Sequence, residues 1–466
     1  MSMQHAIGAL VGSAVGDALG AAFEFEPAGL YRRTFPRPIR AGIGEMRGGG
    51  GFGWLPGEFT DDTQMAVALA ESLVACEGFD PADVWERWRI WARDARDVGT
   101  QTREVLAEPC REGAAARIHQ RYEGRSAGNG SVMRNTPVAI RSANEPLERL
   151  AAVAAAQASL THHDPRNAEA AVIHAAMIQA GILGEDVFAA IPRALETFPP
   201  AARGFWRALL DPTYRPDPHG SNGVVWTCLA EAVWAVRAAD SFETAVVNAI
   251  DLGRDADTTA CVAGGIAGAL WGVQGIPSRW TTYLNGTVTG PDGVRHYDYA
   301  KLQSLVCRLV GRHDPSDAPD EPAAGPVRVH EDLPIHAANR SGAAAVGDEW
   351  QVISLCRTDE SFTSRPVRRQ VFLVDKAERH HNENPLAVVH DVVDTIDAFI
   401  EADATRPILV HCHGGRSRTA LVLKAWAMRR FGWSEPQAHD WLASSWPRIH
   451  RFNDRFTELL RDQWLT

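Results

Sequence analysis

The rhythm of polar and apolar positions changes about two-thirds of the way along this chain. In the first part, Ala-rich stretches such as LERLAAVAAAQASL and NAEAAVIHAAMIQAGIL repeat apolar residues at helical spacing, with few strand signals. The run AIGALVGSAVGDALGAAF is apolar almost all round, yet it lacks a basic start and carries Asp17 in its middle. It therefore predicts a buried core helix rather than a signal or membrane segment. MAVALAESLV extends a predicted helix from about Asp62 through Leu73, and CVAGGIAGALWG predicts a second apolar helix. Trp85, Trp88 and Trp91 fall three apart on one amphipathic helix and read as core rather than as a sugar-stacking surface. Beyond residue 326 short apolar runs, VISLC, VFLV and ILVHC, alternate with helical periodicity, the pattern of an α/β domain.

Between the two patterns lies GRHDPSDAPDEPAAGPVRVHEDLP, rich in Pro, Asp and Ala, which reads as a linker. With 466 residues the chain is long enough for two cores. The predicted division is 1–312, a linker over 313–325, and 326–466. No internal repeat is evident.

Two acidic clusters interrupt the helical part: Thr60-Asp61-Asp62-Thr63 and Asp255-Ala256-Asp257-Thr258, each leading directly into an apolar helix. Adjacent carboxylates at the entrance to a core repel each other unless a cation neutralises them. Thr60 or Asp61 capping a helix would explain the first cluster alone. The repetition of the arrangement points instead to one divalent-metal site of hard oxygen ligands, suited to Mg²⁺ or Mn²⁺. Helix starts also leave backbone N–H groups free for a phosphate-bearing ligand.

Near the C-terminus, RPILVHCHGGRSRTALVLKAW reads as a buried strand, a tight glycine loop and an apolar helix, with five residues between Cys412 and Arg418. Such a loop wraps a phosphate in backbone N–H groups while Arg418 grips two of its oxygens. The same field favours a thiolate at Cys412, the form in which cysteine is a nucleophile.

Composition bounds this picture. Hydrophobic residues at 45% and charged ones at 23% fit a soluble enzyme, and a net charge of −11 argues against general nucleic-acid binding but not against a single nucleic-acid end held in a pocket; no membrane partner is expected. Seven scattered cysteines suggest a reducing cytoplasm, and the six besides Cys412, at positions 76, 110, 228, 261, 307 and 356, read as buried small hydrophobes.

Residues 5–310 resemble the ADP-ribosylglycohydrolases of the dinitrogenase-reductase-activating type. The likeness rests on GALVGSAVGDALGAAFEF, the two acidic clusters, GNGSVMRNTPVAI, THHDPRNAEAA and GIAGALWGVQGIPSRW, in the expected order. It implies an all-α domain with two Mg²⁺ or Mn²⁺ ions held by Thr60, Asp61, Asp62, Asp255, Asp257 and Thr258. It also implies substrate contacts from the loop Gly128-Asn129-Gly130-Ser131 and from His162, the latter to ribose or a phosphate. Glu24 corresponds to a glutamate near the metals that gates the site or positions water; the bland alternative is a solvated helix-end acid. One departure is Arg254, where the family usually has Gly; the cation either meets a phosphate or pairs with a neighbouring acid.

Residues 326–462 resemble the compact dual-specificity branch of the cysteine phosphatases, whose signature His-Cys, five residues, Arg and Ser or Thr is complete here. The resemblance implies an α/β domain that needs no metal. In it His411 orients the loop, Cys412 attacks phosphorus, Arg418 stabilises the transferring group and Thr419 assists departure of the thiolate. Asp375 stands where the general acid is expected, with Glu378 and Glu383 on the same loop as alternatives, and IHRFNDRF reads as the closing helix. The chain is thus expected to be a bifunctional hydrolase acting on an ADP-ribosylated protein, or other ADP-ribose conjugate, and on a phosphomonoester. The rival expectation is an ADP-ribose-recognition domain without turnover that targets an active phosphatase.

Overall fold

The computed structural model describes residues 1–217, 219–312, 319, 321–358, 362, 365–449 and 453–464. Two compact units are present: Met1–Arg37 with Met46–Ile276 and Tyr283–Asp314, and Pro38–Glu45 with Pro277–Thr282 and Pro315–Thr466. Of the proposed linker 313–325, residues 313–318 and 320 lie outside the described residues.

The first unit is helical, and its centre is the crossing of α1 (Met3–Gly20) with a helix near its end. The other elements used below are α2 (Asp61–Ala75), α3 (Pro81–Trp91), α4 (Pro165–Leu183), α5 (Val225–Arg237) and α6 (Ala256–Trp271). Helix α1 is long and apolar enough to cross a bilayer, but 94% of its most apolar window is buried inside the protein. Its glycines explain how it packs. Gly8, Gly12, Gly16 and Gly20 recur every fourth residue and meet, in reverse order, the backbones of Gly268, Gly264, Ala260 and Asp257 on α6. A Cβ at any of the four would collide with that facing backbone, so the two helices touch main chain to main chain. The contact at Gly20 places the start of α6 beside the end of α1, one turn from Asp17. Gly16→Ala is expected to destabilise the chain by about 2–3 kcal/mol through overpacking, seen as a lower urea midpoint at unchanged slope; an unchanged midpoint would mean the helices can separate freely.

Helix α3 buries Trp85, Trp88 and Trp91, as its spacing predicts. Trp88 Nε1 donates to the Met65 carbonyl at 3.1 Å and Trp91 Nε1 to Gln64 Oε1 at 2.8 Å, fixing α3 against α2. The helical reading missed one hairpin, β1 (Asn285–Gly290) with β2 (Gly293–Asp298), joined by the two-residue turn Pro291-Asp292 between glycines.

The second unit holds a five-stranded sheet in the order β3-β4-β7-β5-β6, from β3 (Val327–Arg328), β4 (Ile335–Asn339), β5 (Gln351–Ser354), β6 (Arg368–Gln370) and β7 (Ile408–Cys412). All neighbours pair in parallel except β3, which is antiparallel to β4. All five residues of β7 are buried, as a central parallel strand covered on both faces requires. Helices α7 (Pro385–Ala402), α8 (Ser417–Phe431) and α9 (Glu435–Ser445) share one apolar core with the sheet, which includes Ile353, Val393, Val410, Leu421 and Leu442. The helix read from IHRFNDRF is α10 (Asp454–Asp462), starting later than expected; residues 450–452 of that motif lie outside the described residues.

Two cysteine expectations need correction: Cys76 and Cys110 are exposed, whereas Cys228, Cys261, Cys307 and Cys356 are buried. Cys76 follows the last residue of α2, and Cys110 sits in a surface turn where its thiol donates to Glu112 Oε2 at 2.8 Å, so neither meets the core.

Candidate functional sites

In the first unit the two helix starts, α2 and α6, open on one cleft of about 220 Å³. Asp61, Asp62, Asp255, Asp257 and Thr258 line it, as do Glu24, Gly128, Asn129, Gly130 and His162. Thr60 is buried behind it and its Oγ1 donates to Asp62 Oδ2 at 3.2 Å. Ser131 turns the other way, accepting from Asn167 Nδ2 at 2.8 Å in the interior.

The residue that organises the cluster is Asp17, whose role no local sequence pattern discloses. Its carboxylate accepts from the backbone N–H of Thr60 (3.0 Å) and Thr63 (3.0 Å) and from Thr63 Oγ1 (2.5 Å), so a buried side chain of α1 caps α2 from outside. Carboxylate oxygens of Asp17, Asp62 and Asp257 lie within 4.8 Å of one another. Burial pushes Asp17 up to about 6 in spite of the Thr63 and Thr60 hydrogen bonds. Asp61, Asp62 and Asp257 are held well above the usual carboxylate range, first by burial and then by the other acids of the cluster. Glu24 is pushed up to about 8 by burial and by Asp97, Asp255 and Asp17. Asp97, a second acid the sequence did not single out, also lines the cleft and is pushed up to about 6 by burial and Asp255.

These acids fit a divalent cation on their own chemistry. Asp62 Oδ1, Asp257 Oδ1 and Glu24 Oε2 are buried without a hydrogen-bond partner, an arrangement that is costly unless something cationic completes it. Every donor is a hard oxygen, the set that suits Mg²⁺ or Mn²⁺.

A polar scaffold aims the second cluster. Asn222 Oδ1 accepts from Asp255 N at 3.0 Å, and its Nδ2 donates to the Gly253 carbonyl and Thr259 Oγ1 at 3.1 and 3.2 Å. Asn129 Nδ2 donates to Asp255 Oδ2 at 2.8 Å and to the Asn222 carbonyl at 3.0 Å, which makes that side chain an orienter of Asp255. Arg254 resolves between its two readings in favour of the acid pair. Its Nη2 donates to both oxygens of Glu231, at 2.9 and 3.1 Å, and its Nη1 to the carbonyls of Asp217 and Gly220. Arg254 adopts φ of 61°, the left-handed region that favours glycine. The cost of that conformation, about 1–2 kcal/mol, is offset by those four hydrogen bonds, which tie the loop before Asn222 to the residue before Asp255.

His162 packs against Gly128 and Gly130 with its Nδ1 2.8 Å from Thr161 Oγ1. Burial, reinforced by the Arg134 charge, pushes its imidazole well down, so it is neutral at physiological pH. Arg134 is itself buried over the Trp88 ring and donates to Gln157 and Thr161. Burial lowers it to about 9, with the Asp61 charge acting in the opposite sense.

In the second unit Cys412 ends β7 and Arg418 lies in the first turn of α8, so the loop between them sits at the carboxyl end of the central strand, where α/β sheets bind ligands. Gly415 has φ of 63°, and a Cβ there would strike the Ala338 carbonyl; its own carbonyl accepts from Trp446 Nε1 at 2.7 Å. Arg418 Nη1 donates to the carbonyls of Leu355 and Leu373 at 3.0 and 3.2 Å, while its Nε is buried without a hydrogen-bond partner. Asp375 Oδ2 lies 4.0 Å from that Nε, and Asp375 Oδ1 accepts from Asn453 Nδ2 at 3.2 Å. Glu378 and Glu383 are exposed instead. His411 Nε2 lies 2.7 Å from Ser354 Oγ, and burial lowers it to about 3, leaving a neutral ring. Thr419 Oγ1 is buried without a partner.

A helical unit with an acidic cleft and an α/β unit with a cysteine-arginine phosphate loop define the class, a two-domain hydrolase. The ADP-ribosylglycohydrolase profile matches residues 2–318, and the dual specificity phosphatase catalytic domain matches residues 351–463. The chain belongs to the ADP-ribosylglycohydrolase family. It is 32% identical over 285 residues to the ADP-ribosyl-[dinitrogen reductase] glycohydrolase of Rhodospirillum rubrum, covering 60% of this chain and 90% of that protein. It is 32% identical over 287 residues to the ADP-ribosylarginine hydrolase Tri1 of Pseudomonas putida, covering 60% and 74%. A solved ADP-ribosylglycohydrolase-related protein complex aligns with 66% of this chain and 97% of its own at TM-score 0.50 and 30% identity.

Proposed function

We propose that the first unit hydrolyses ADP-ribosyl glycosidic bonds with the help of divalent cations, that ADP-ribosylated arginine is its first substrate to test, and that the second unit hydrolyses phosphomonoesters. The observation that carries the first half is the set of buried, unpartnered carboxylate oxygens of Asp62, Asp257 and Glu24 facing one cleft. Thr60, Asp61, Asp62, Asp255, Asp257 and Thr258 would hold two Mg²⁺ or Mn²⁺ ions, which when bound supply Lewis-acid polarisation and a more acidic water. The backbone of Gly128–Gly130 binds a diphosphate, the neutral His162 shapes that loop, and Asn129 keeps Asp255 aimed. Glu24 Oε2 is the atom placed to hold a proton at the cleft wall.

In the second unit Cys412 Sγ attacks phosphorus as the bond to the leaving oxygen breaks, and Asp375 gives that oxygen a proton. Water then cleaves the sulfur–phosphorus bond, its proton passing to Asp375, and phosphate leaves. Arg418 binds the phosphoryl oxygens throughout. Seven free cysteines, the nucleophile Cys412 among them, suit a reducing cytoplasm.

The test uses one preparation and two assays. ADP-ribose release from an ADP-ribosylated arginine protein is expected with Mg²⁺ or Mn²⁺ and not with EDTA, whereas p-nitrophenyl phosphate turnover is expected in both. Phosphatase turnover without release from arginine-, serine- or nucleic-acid-linked ADP-ribose would reduce the first unit to a recognition domain.

A further inference from the structure

Two arginines beside the phosphate loop converge on one acid. Arg416, four residues after Cys412 in the loop, donates from Nη1 and Nη2 to Oε1 and Oε2 of Glu321 at 2.6 and 2.8 Å. Arg448, just beyond α9, donates from Nη2 to the same Oε2 at 2.7 Å. The carboxylate lies against the loop itself, since Glu321 Oε1 is 3.3 Å from the point where a Cβ on Gly414 would stand. The backbone presenting it is pinned: Ser341 Oγ donates to the Glu321 carbonyl at 2.6 Å and Asn339 Nδ2 to the Pro322 carbonyl at 2.9 Å. Two guanidinium groups on one carboxylate leave a net positive charge, and Arg448 Nε is buried with no partner. Both arginine side chains remain open to solvent, at 38% and 31% exposure.

We propose that Arg416 and Arg448 form a second anion-recognition site at the edge of the phosphate loop, occupied by Glu321 in the free chain, which binds an acidic side chain flanking the phosphorylated residue of a peptide substrate. This rests on the phosphatase reading of the second unit. The ligand class follows from the present occupant, a carboxylate borne on polypeptide and gripped by an arginine fork. An incoming carboxylate replaces Glu321 like for like: the arginines stay paired while the Glu321 side chain moves into water, so exchange avoids stranding a charge. Selectivity for acidic flanks then comes from the surplus positive charge, and Glu321 sets how strong a flank must be to bind.

The experiment uses full-length Cys412→Ser protein, which binds without turnover, and two phosphotyrosyl peptides with either alanine or glutamate flanks, titrated by calorimetry. The acidic peptide is expected to bind roughly fivefold more tightly. Adding Arg416→Ala and Arg448→Ala should equalise the two peptides, and adding Glu321→Ala should widen the preference. Arg448→Ala alone, outside the loop, should halve the preference or better and guards against loop collapse in the double variant. Equal affinities in the starting protein, or a preference that survives loss of both arginines, overturns the site. If neither peptide binds, p-nitrophenyl phosphate turnover by the native chain separates the failures: turnover condemns the second site alone, and its absence condemns the phosphatase reading as well.

Discussion

Asp257→Asn is expected to abolish metal-dependent release of ADP-ribose, by at least about 10³-fold, and at the same time to raise the melting temperature of the metal-free protein. The first effect follows from removing a buried, unpartnered carboxylate oxygen from the cleft. The second follows from repulsion. Asp62, Asp255, Glu24 and Asp17 all push the Asp257 carboxyl upward, after burial itself. Without cations, the folded chain carries this cluster at a cost that an uncharged amide reduces.

Asp17 and Glu24 have folded values of about 6 and about 8, above their ordinary 3.8 and 4.5. The folded state therefore binds more protons than the unfolded chain across roughly pH 4 to 8, and metal-free stability falls as pH rises through that window. In EDTA the variant should melt above the native protein near pH 8, with the gap closing towards pH 4. Mn²⁺ should raise the native melting temperature and scarcely move the variant's, because only a cation bound to the folded state stabilises it. A variant that melts below the native protein at every pH in EDTA would show that Asp257 is satisfied without a cation.

What could be read from the chain follows from how local each signal is. The acids of the two clusters are contiguous in sequence and stand at the starts of apolar helices, so both their chemistry and their element are visible at once. The phosphate loop is equally local, since strand, glycines and helix start fall within one stretch of about twenty residues. Asp17 was visible only as an odd charge in an apolar helix; its function depends on a main-chain crossing with α6 that brings together positions 240 residues apart, as the reach from Asp17 to Asp257 shows. Asp97, Asn222 and Gln157 likewise act through partners distant in sequence, with no spacing to announce them. Ser131 failed to reach the cleft for a related reason: the turn Asn129–Ser131 is a 3₁₀ segment, and its last side chain faces Asn167 rather than the loop's open side. Arg254 could not be decided locally because its partner, Glu231, lies on α5.

Cys412→Ser should eliminate phosphomonoester turnover, by at least about 10³-fold, with ADP-ribose release by the same protein unchanged. The substitution exchanges sulfur for oxygen at a site that is 1% exposed, so the fold should persist and phosphate should still bind. Asp375→Asn should separate the two chemical roles. With a poor leaving group such as a tyrosyl oxygen, the loss should be about 10²-fold or more, because that oxygen needs the proton. With p-nitrophenolate, which leaves as an anion, the loss in forming the thiophosphate should be small, and any remaining deficit belongs to hydrolysis of the intermediate. Glu378→Gln and Glu383→Gln should change neither, since both side chains are exposed and it is Asp375 that lies 4.0 Å from Arg418. Equal losses for both leaving groups in Asp375→Asn, or a large loss in Glu378→Gln, would move the proton donor off Asp375 and require the loop to rearrange when substrate binds.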